Sequence, residues 1–127
     1  MTAGWPSDPQ SPEEFFAGHN DALLIYERAI SMLKALGPFE VRVTKSQVGL
    51  RRRRAFAFLW MPGRWLPHPD ADVVLSIAVD RPIVSTRSKE VVHPAKNTWM
   101  HHLEVRSPDD LDDEVLSWLT AAWECAG

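Results

Sequence analysis

Between residues 20 and 36 three polar side chains fall on one line of an otherwise mostly apolar stretch. Glu27, Ser31 and Lys34 are spaced i, i+4 and i+7, one narrow wet stripe on a helix. Leu23, Ile25, Tyr26, Ala29, Ile30, Met32, Leu33 and Leu36 cover most of the remaining surface. Gly37-Pro38 ends the helix, because proline lacks the next backbone donor and glycine tolerates the turn. Ahead of it, Ser11-Pro12-Glu13-Glu14 reads as an N-cap serine, a proline at the first helical position and an acid that completes a capping box. Phe15 and Phe16 follow in a short helical turn that Gly18 closes.

The pattern then switches to alternation. Phe39, Val41 and Val43 alternate with Glu40, Arg42 and Thr44, which predicts a half-buried strand. A second strand is predicted over 47–52 and a third over 55–60. In the third, Phe56, Phe58 and Trp60 share one face, with Ala55, Ala57 and Leu59 opposite. Arg51, Arg52, Arg53 and Arg54 must sit at the bend between these two strands, because burying a run of arginines is prohibitive. Met61-Pro62-Gly63 and Pro67-His68-Pro69-Asp70 have loop chemistry. The near-continuous apolar run 73–79 predicts a central strand, and 87–93 a weaker one ended by Pro94. Over 99–106 alternation returns, with Trp99, His101, Leu103 and Val105 inward and Met100, His102, Glu104 and Arg106 on the reverse.

Ser107-Pro108-Asp109-Asp110 predicts the cap of a last helix, with Leu111, Val115, Trp118, Leu119 and Ala122 on its apolar stripe. The acids between 109 and 114 suit the positive end of the helix dipole, which accounts for them without a metal. Helix, strands, helix, with no β-α-β alternation, predicts an α+β fold. Its expected parts are an N-terminal helix, an antiparallel sheet of five to six strands and a C-terminal helix, with the helices packed on one sheet face. Residues 1–10, including Trp5, read as a loose lead-in, and 11–127 as a single domain.

Composition is that of a globular chain: 127 residues, 45% hydrophobic and 24% charged, enough for one core. No apolar run approaches the roughly 18 residues of a membrane span. The first ten residues lack the basic and apolar regions of a signal peptide. Cys125, the single cysteine, cannot form an internal disulfide. A cytoplasmic protein with no membrane partner is expected. The net charge of −3 hides a division. From residue 39 to 106 the balance is +6, and the flanking segments carry −9. Such a middle fits either an anionic partner for the sheet or mutual neutralisation of sheet and helices.

Gly-rich phosphate loops, paired CxxC, HExxH, GxSxG and EF-hand signatures do not occur, so no cofactor or resident metal is expected. Two groups of residues carry candidate chemistry. The first is basic: Lys45, Arg51, Arg52, Arg53 and Arg54, followed by Arg64 and Trp65. Arginine forks suit phosphate, and aromatic rings between them offer stacking faces to an anionic small molecule or a single nucleic-acid strand. The alternative is an exposed, solubilising turn with Phe56, Phe58 and Trp60 in the core. The second group is Lys89, Glu90 and His93 with His101 or His102, an acid–base or metal-assisted site if the two segments pair. Adjacent histidines point to opposite strand faces, so only one of His101 and His102 can join it, and His101 reads as a hydrogen-bonded core residue. Six tryptophans exceed what a small core needs, which leaves room for one at a pocket or a dimer or partner surface.

Several segments in order, namely Gly37-Pro38, Lys45-Ser46-Gln47-Val48, the four arginines with Phe56-Ala57, Pro62-Gly63-Arg64-Trp65, Lys89 to Pro94, and Trp99 to Val105, resemble a bacterial family known only as a domain of unknown function. That family occurs as stand-alone proteins and as a module in longer chains. The resemblance runs from about Ser11 to Glu124 and implies the fold, but no reaction, ligand or catalytic residue. The layout is also remotely similar to small YjbR-type proteins, for which DNA binding has been suggested, a likeness of fold alone. The expectation is a non-catalytic binding module that holds an anionic ligand or nucleic acid at the basic sheet edge. An enzyme centred on His93 with His101 or His102, and a dimerisation or partner-docking module, are the alternatives.

Overall fold

A computed structural model describes residues 9–64, 71–83, 85 and 87–127. Trp5, Trp65 and the loop at Pro67 to Asp70 lie outside the described residues. The chain opens with α1 (Pro12–Phe15), capped by Ser11, whose hydroxyl accepts from the Glu14 N–H at 3.2 Å. Four residues are too few for a helix to stand alone. Burial of Phe15 and Phe16, edge to face at 4.9 Å, fixes this one to the core. Then follows α2 (Asn20–Lys34), which buries Ala22, Ile25, Tyr26, Ala29, Met32 and Leu33 along one side, the stripe expected from the sequence. It stops two residues short of the predicted end.

Among the described residues six strands make one antiparallel sheet: β1 (Glu40–Val43), β2 (Val48–Arg51), β3 (Ala55–Trp60), β4 (Val73–Val79), β5 (Ser88–Ala95) and β6 (Thr98–Val105). Their order is β1-β2-β3-β4-β6-β5, so the apolar run at β4 is central as expected, and β1 and β5 are the edges. The final helix, α3 (Asp113–Cys125), lies over β3 and β4 and touches α2. Val48, Leu50, Ala57, Leu59, Val73, Leu75, Ile77, Leu103 and Val105 share one core with the helices, which therefore cover a single sheet face. Each fully buried Leu or Ile there contributes about 1.5–3 kcal/mol relative to exposure.

Three expectations need correction. Phe56 does not share a face with Phe58 and Trp60. The β2–β3 pairing slips between Leu50 and Arg51, leaving Phe56 as an extra residue, and a bulge of this kind turns it into the core while Phe58 and Trp60 face away from the helices. Ser107 does not cap α3. It precedes a 3-10 turn at Pro108–Asp110, and the capping oxygen belongs to Asp112, which accepts from the Val115 N–H at 3.2 Å. Pro94 does not end its strand, because β5 is an edge and the missing N–H is tolerated there.

Arg87 ties the segment before β5 to the start of α3. Its guanidinium donates to Asp112 at 3.0 Å, to Glu114 at 2.9 Å and to the Asp110 carbonyl at 2.7 Å. These bonds hold the Asp112 carboxyl below the usual carboxylate range. His101 is 1% exposed within the core. Its Nε2 accepts the Ile83 N–H at 2.8 Å, so the ring proton sits on Nδ1, which has no hydrogen-bond partner. Burial pushes this imidazole below its ordinary pKa. Stability that depends on the neutral ring is present above the unfolded value, near 6.5, and is lost as pH falls through the lower folded value. The melting temperature of the wild type is therefore expected to drop between pH 7.5 and pH 5. The His101→Gln variant, which keeps an acceptor but does not titrate, is expected to show a flatter profile in the same thermal melts.

Candidate functional site

The sheet face that the helices leave is built from the alternate residues of each strand. Cross-strand pairing sets Arg42, Gly49, Phe58, Ser76 and His102 in one row across β1, β2, β3, β4 and β6. The neighbouring rows hold Trp60, Val74 and Glu104 on one side and Ala78 and Met100 on the other. Phe58, Trp60, Met100 and His102 are all half-buried. Gly49 has no side chain, and a Cβ placed there would meet the Phe58 ring at 3.5 Å, so that ring lies down over the β2 backbone.

A polar chain crosses this face. The Trp60 indole N–H donates to Ser76 Oγ at 3.0 Å, and Ser76 Oγ lies 2.6 Å from His102 Nδ1. We assign the serine hydrogen to Nδ1, the arrangement in which Ser76 both accepts from the indole and donates to the imidazole; the neutral ring then carries its proton on Nε2. Trp60 and His102 stand edge to face, 6.5 Å apart. Ser76 is 3% exposed in the middle of an otherwise apolar strand, where a hydroxyl would cost stability if unpaired. Two partners satisfy it. Their combined effect is to hold an indole and an imidazole in fixed orientation, with a ring N–H available at Nε2. Serine and histidine at this distance also make the geometry of a nucleophile and its base. Here, however, the hydroxyl is buried and already takes a hydrogen from Trp60, which suits support of the imidazole better than attack on a substrate.

The arginine bend sits at one end of the sheet, against the C-terminal end of α3. The Arg53 and Arg54 backbone N–H groups donate to the Ala126 carbonyl at 2.9 and 3.3 Å. Arg52 Nη1 donates to the Trp123 carbonyl at 2.9 Å, and Arg54 Nη2 to that of Cys125 at 2.6 Å. The Arg52 guanidinium also lies 3.6 Å over the Trp123 ring, and Arg51 donates to the Arg53 carbonyl at 3.1 Å. Helix C-termini leave carbonyls unpaired and carry partial negative charge, so cations are well placed there. Three of the four guanidinia thus bond to backbone carbonyls of the fold; Arg53 and Arg54 are both exposed. Lys45 lies in the β1–β2 turn, at the other end of β2 from this bend. Arg64 belongs to the 3-10 turn Pro62–Arg64 that follows β3, its side chain outside the described residues, as Trp65 is altogether. The basic residues that the sequence grouped are therefore divided between the two ends of β2 and β3.

The histidines are also divided. His93 is exposed, stacks on Trp99 at 3.8 Å and donates from Nε2 to the Lys96 carbonyl at 3.1 Å. His101 is locked in the core, as its alternation predicted, and His102 is on the reverse face. Glu90 pairs with His102 in the β5–β6 register; its side chain and that of Lys89 lie outside the described residues. Among the described residues no three His, Cys, Asp or Glu side chains come together as a metal site.

Sequence comparison places the chain in a family. It belongs to the family described as a domain of unknown function, DUF5655. The match covers residues 13–126, which include every described strand and helix after the start of α1. No curated protein and no solved structure matches the chain significantly. The DUF5655 domain has no described helix long and apolar enough to cross a membrane. Within it, Ser76 is the residue that sequence reading passed over, while Phe58 and Trp60 were read as one strand face without a role at a site. A serine inside Val73–Val79 was the available signal, a polar residue where the pattern asked for an apolar one.

Proposed function

We propose that this domain is a non-catalytic binding module that takes a ring-bearing anion, a nucleotide or a single nucleic-acid strand, on the sheet face the helices leave. Bases stack against Phe58 and Trp60, and His102 Nε2 donates to a ring or phosphate acceptor. The carrying observation is the Trp60–Ser76–His102 chain, which fixes two rings and one donor before any ligand arrives, a form of preorganisation. Antiparallel sheets that display aromatic side chains are a recurring platform for unpaired bases. Charges on the face itself pair off, Glu40 with Arg42 and Glu104 with Arg106, so phosphates are held at its ends. Lys45 and Arg53 lie at opposite ends of β2 with Phe58 between them. The acidic helices are on the far side of the sheet, which keeps their repulsion away from an anion.

Tryptophan fluorescence titration with an oligonucleotide of roughly ten thymidines at low salt tests this. Binding is expected to weaken steeply as salt rises. Phe58→Ala is expected to lose about tenfold or more in affinity, within the roughly 1–3 kcal/mol of one stacked base, and His102→Ala about tenfold through the lost hydrogen bond. Arg53→Ala should lower affinity modestly and reduce the salt slope. Absence of binding at low salt would remove the nucleic-acid version. Loss confined to Arg53→Ala would move the ligand to the turn.

A further inference from the structure

We infer that β1 is a self-pairing edge, and that its partner is a second copy of this chain. The two edges of the sheet are not alike. β5 carries Pro94 and two irregularities of pairing, between Ser88 and Glu90 and between Val92 and Ala95, devices that discourage another strand from adding. β1 has neither proline nor bulge, and its pairing with β2 is regular over all four residues.

The backbone polarity of β1 follows from one bond. The Thr44 N–H donates to the Gln47 carbonyl at 2.9 Å, so Thr44 points its amide groups toward β2. By alternation Arg42 and Glu40 do the same, and Phe39, Val41 and Val43 turn theirs outward. An antiparallel copy centred on Val41 therefore exchanges both backbone bonds between the two Val41 residues. Phe39 then stands opposite Val43 of the copy, and Val43 opposite its Phe39.

Side chains agree with that register on both faces. Glu40 falls opposite Arg42 of the copy, and Arg42 opposite its Glu40. Within one chain the two groups pair at 3.9 Å and remain 66% and 64% exposed, so this contact can be exchanged for one across to the copy. On the other face Val41 is 38% exposed beside a groove lined by Tyr26, Ile30, Pro38 and Phe39, with Lys34 at its rim. The copy's Val41 extends this apolar surface. The segment reads Phe-Glu-Val-Arg-Val, apolar at both ends and at the centre and opposite in charge between, which is the pattern a twofold axis through Val41 requires. Such a dimer joins the two sheets edge to edge and leaves the ligand faces of both copies on the same side.

Charge reversal tests the register. Glu40→Arg places two arginines of one chain opposite two of its copy, and Arg42→Glu does the same with glutamates. Sedimentation equilibrium over a range of concentrations is expected to show a dimer for the wild type. Each variant alone should raise the dimer dissociation constant about tenfold or more, since two attractive cross-strand pairs become repulsive. An equimolar mixture of the two variants should recover the dimer, because every Arg then faces a Glu. The inference is overturned if the wild type stays monomeric at all concentrations. It is equally overturned if each variant dimerises as the wild type does, or if the mixture fails to recover what the variants lose.

Discussion

Replacing Gly37 by alanine is expected to destabilise the domain by about 3 kcal/mol, the sum of backbone strain and overpacking. Gly37 holds φ at +152°, where side chains of L-residues are rarely found. A Cβ there would stand 2.6 Å from Cζ2 and 3.1 Å from Cη2 of Trp123. That ring has little room to retreat. Its Nε1–H donates to the Pro38 carbonyl at 3.2 Å, and the Arg52 guanidinium lies 3.6 Å over its ring. The added methyl therefore disturbs the α2–β1 turn, the end of α3 and the arginine bend together. Thermal melts should show a loss of roughly 10 °C for a chain of this size. In a Trp123→Ala background the same substitution should cost less than half as much, because only the strain at φ remains. An unchanged melting temperature for Gly37→Ala alone would show that this junction is not held as described.

The second large effect is expected at Ser76. Alanine there leaves the Trp60 N–H and His102 Nδ1 without their shared partner, on a face where both rings are half-buried. Each unpaired group costs about 1–3 kcal/mol when water cannot replace the bond, and partial exposure brings the pair to about 2 kcal/mol in total. Urea denaturation measures it. Combined with His102→Ala, the loss should fall short of the sum of the two single variants, since one hydrogen bond is counted in both. A strictly additive pair would mean that the serine and the imidazole do not act together. Ligand affinity is expected to fall with Ser76→Ala as well, through an imidazole that is no longer oriented. Ser76 is in this sense a positioning residue.

Much of the fold was legible because it is written in local patterns. The stripe of α2, the alternation of β6 and the apolar run of β4 each follow from spacing within a few residues, and the bounds of β3 and β4 agree with the sequence reading to the residue. His101 and His102 were correctly sent to opposite faces by the same rule. What was not legible depends on partners far along the chain. Spacing along the chain does not show that the arginines at the β2–β3 bend meet the carbonyls of Trp123 and Cys125, 71 residues from Arg52 and Arg54. The bulge that separates Phe56 from Phe58 leaves no mark in a strand of unbroken apolar residues. Ser107 had the sequence of a cap, yet the two-residue gap after the 3-10 turn gave that task to Asp112. Ser76 was hidden for a related reason, since its two partners come from strands on either side of β4.

Two indoles distinguish the two places where a ligand could sit. Trp60 lies on the sheet face the helices leave, and Trp123 lies under Arg52 at the arginine bend. In ¹H–¹⁵N spectra assigned with Trp→Phe variants, titration with the thymidine oligonucleotide is expected to shift the Trp60 indole resonance and leave that of Trp123 in place. A shift of Trp123 and of the amides at the arginine bend, with Trp60 unmoved, would contradict the account and return the ligand to the basic turn.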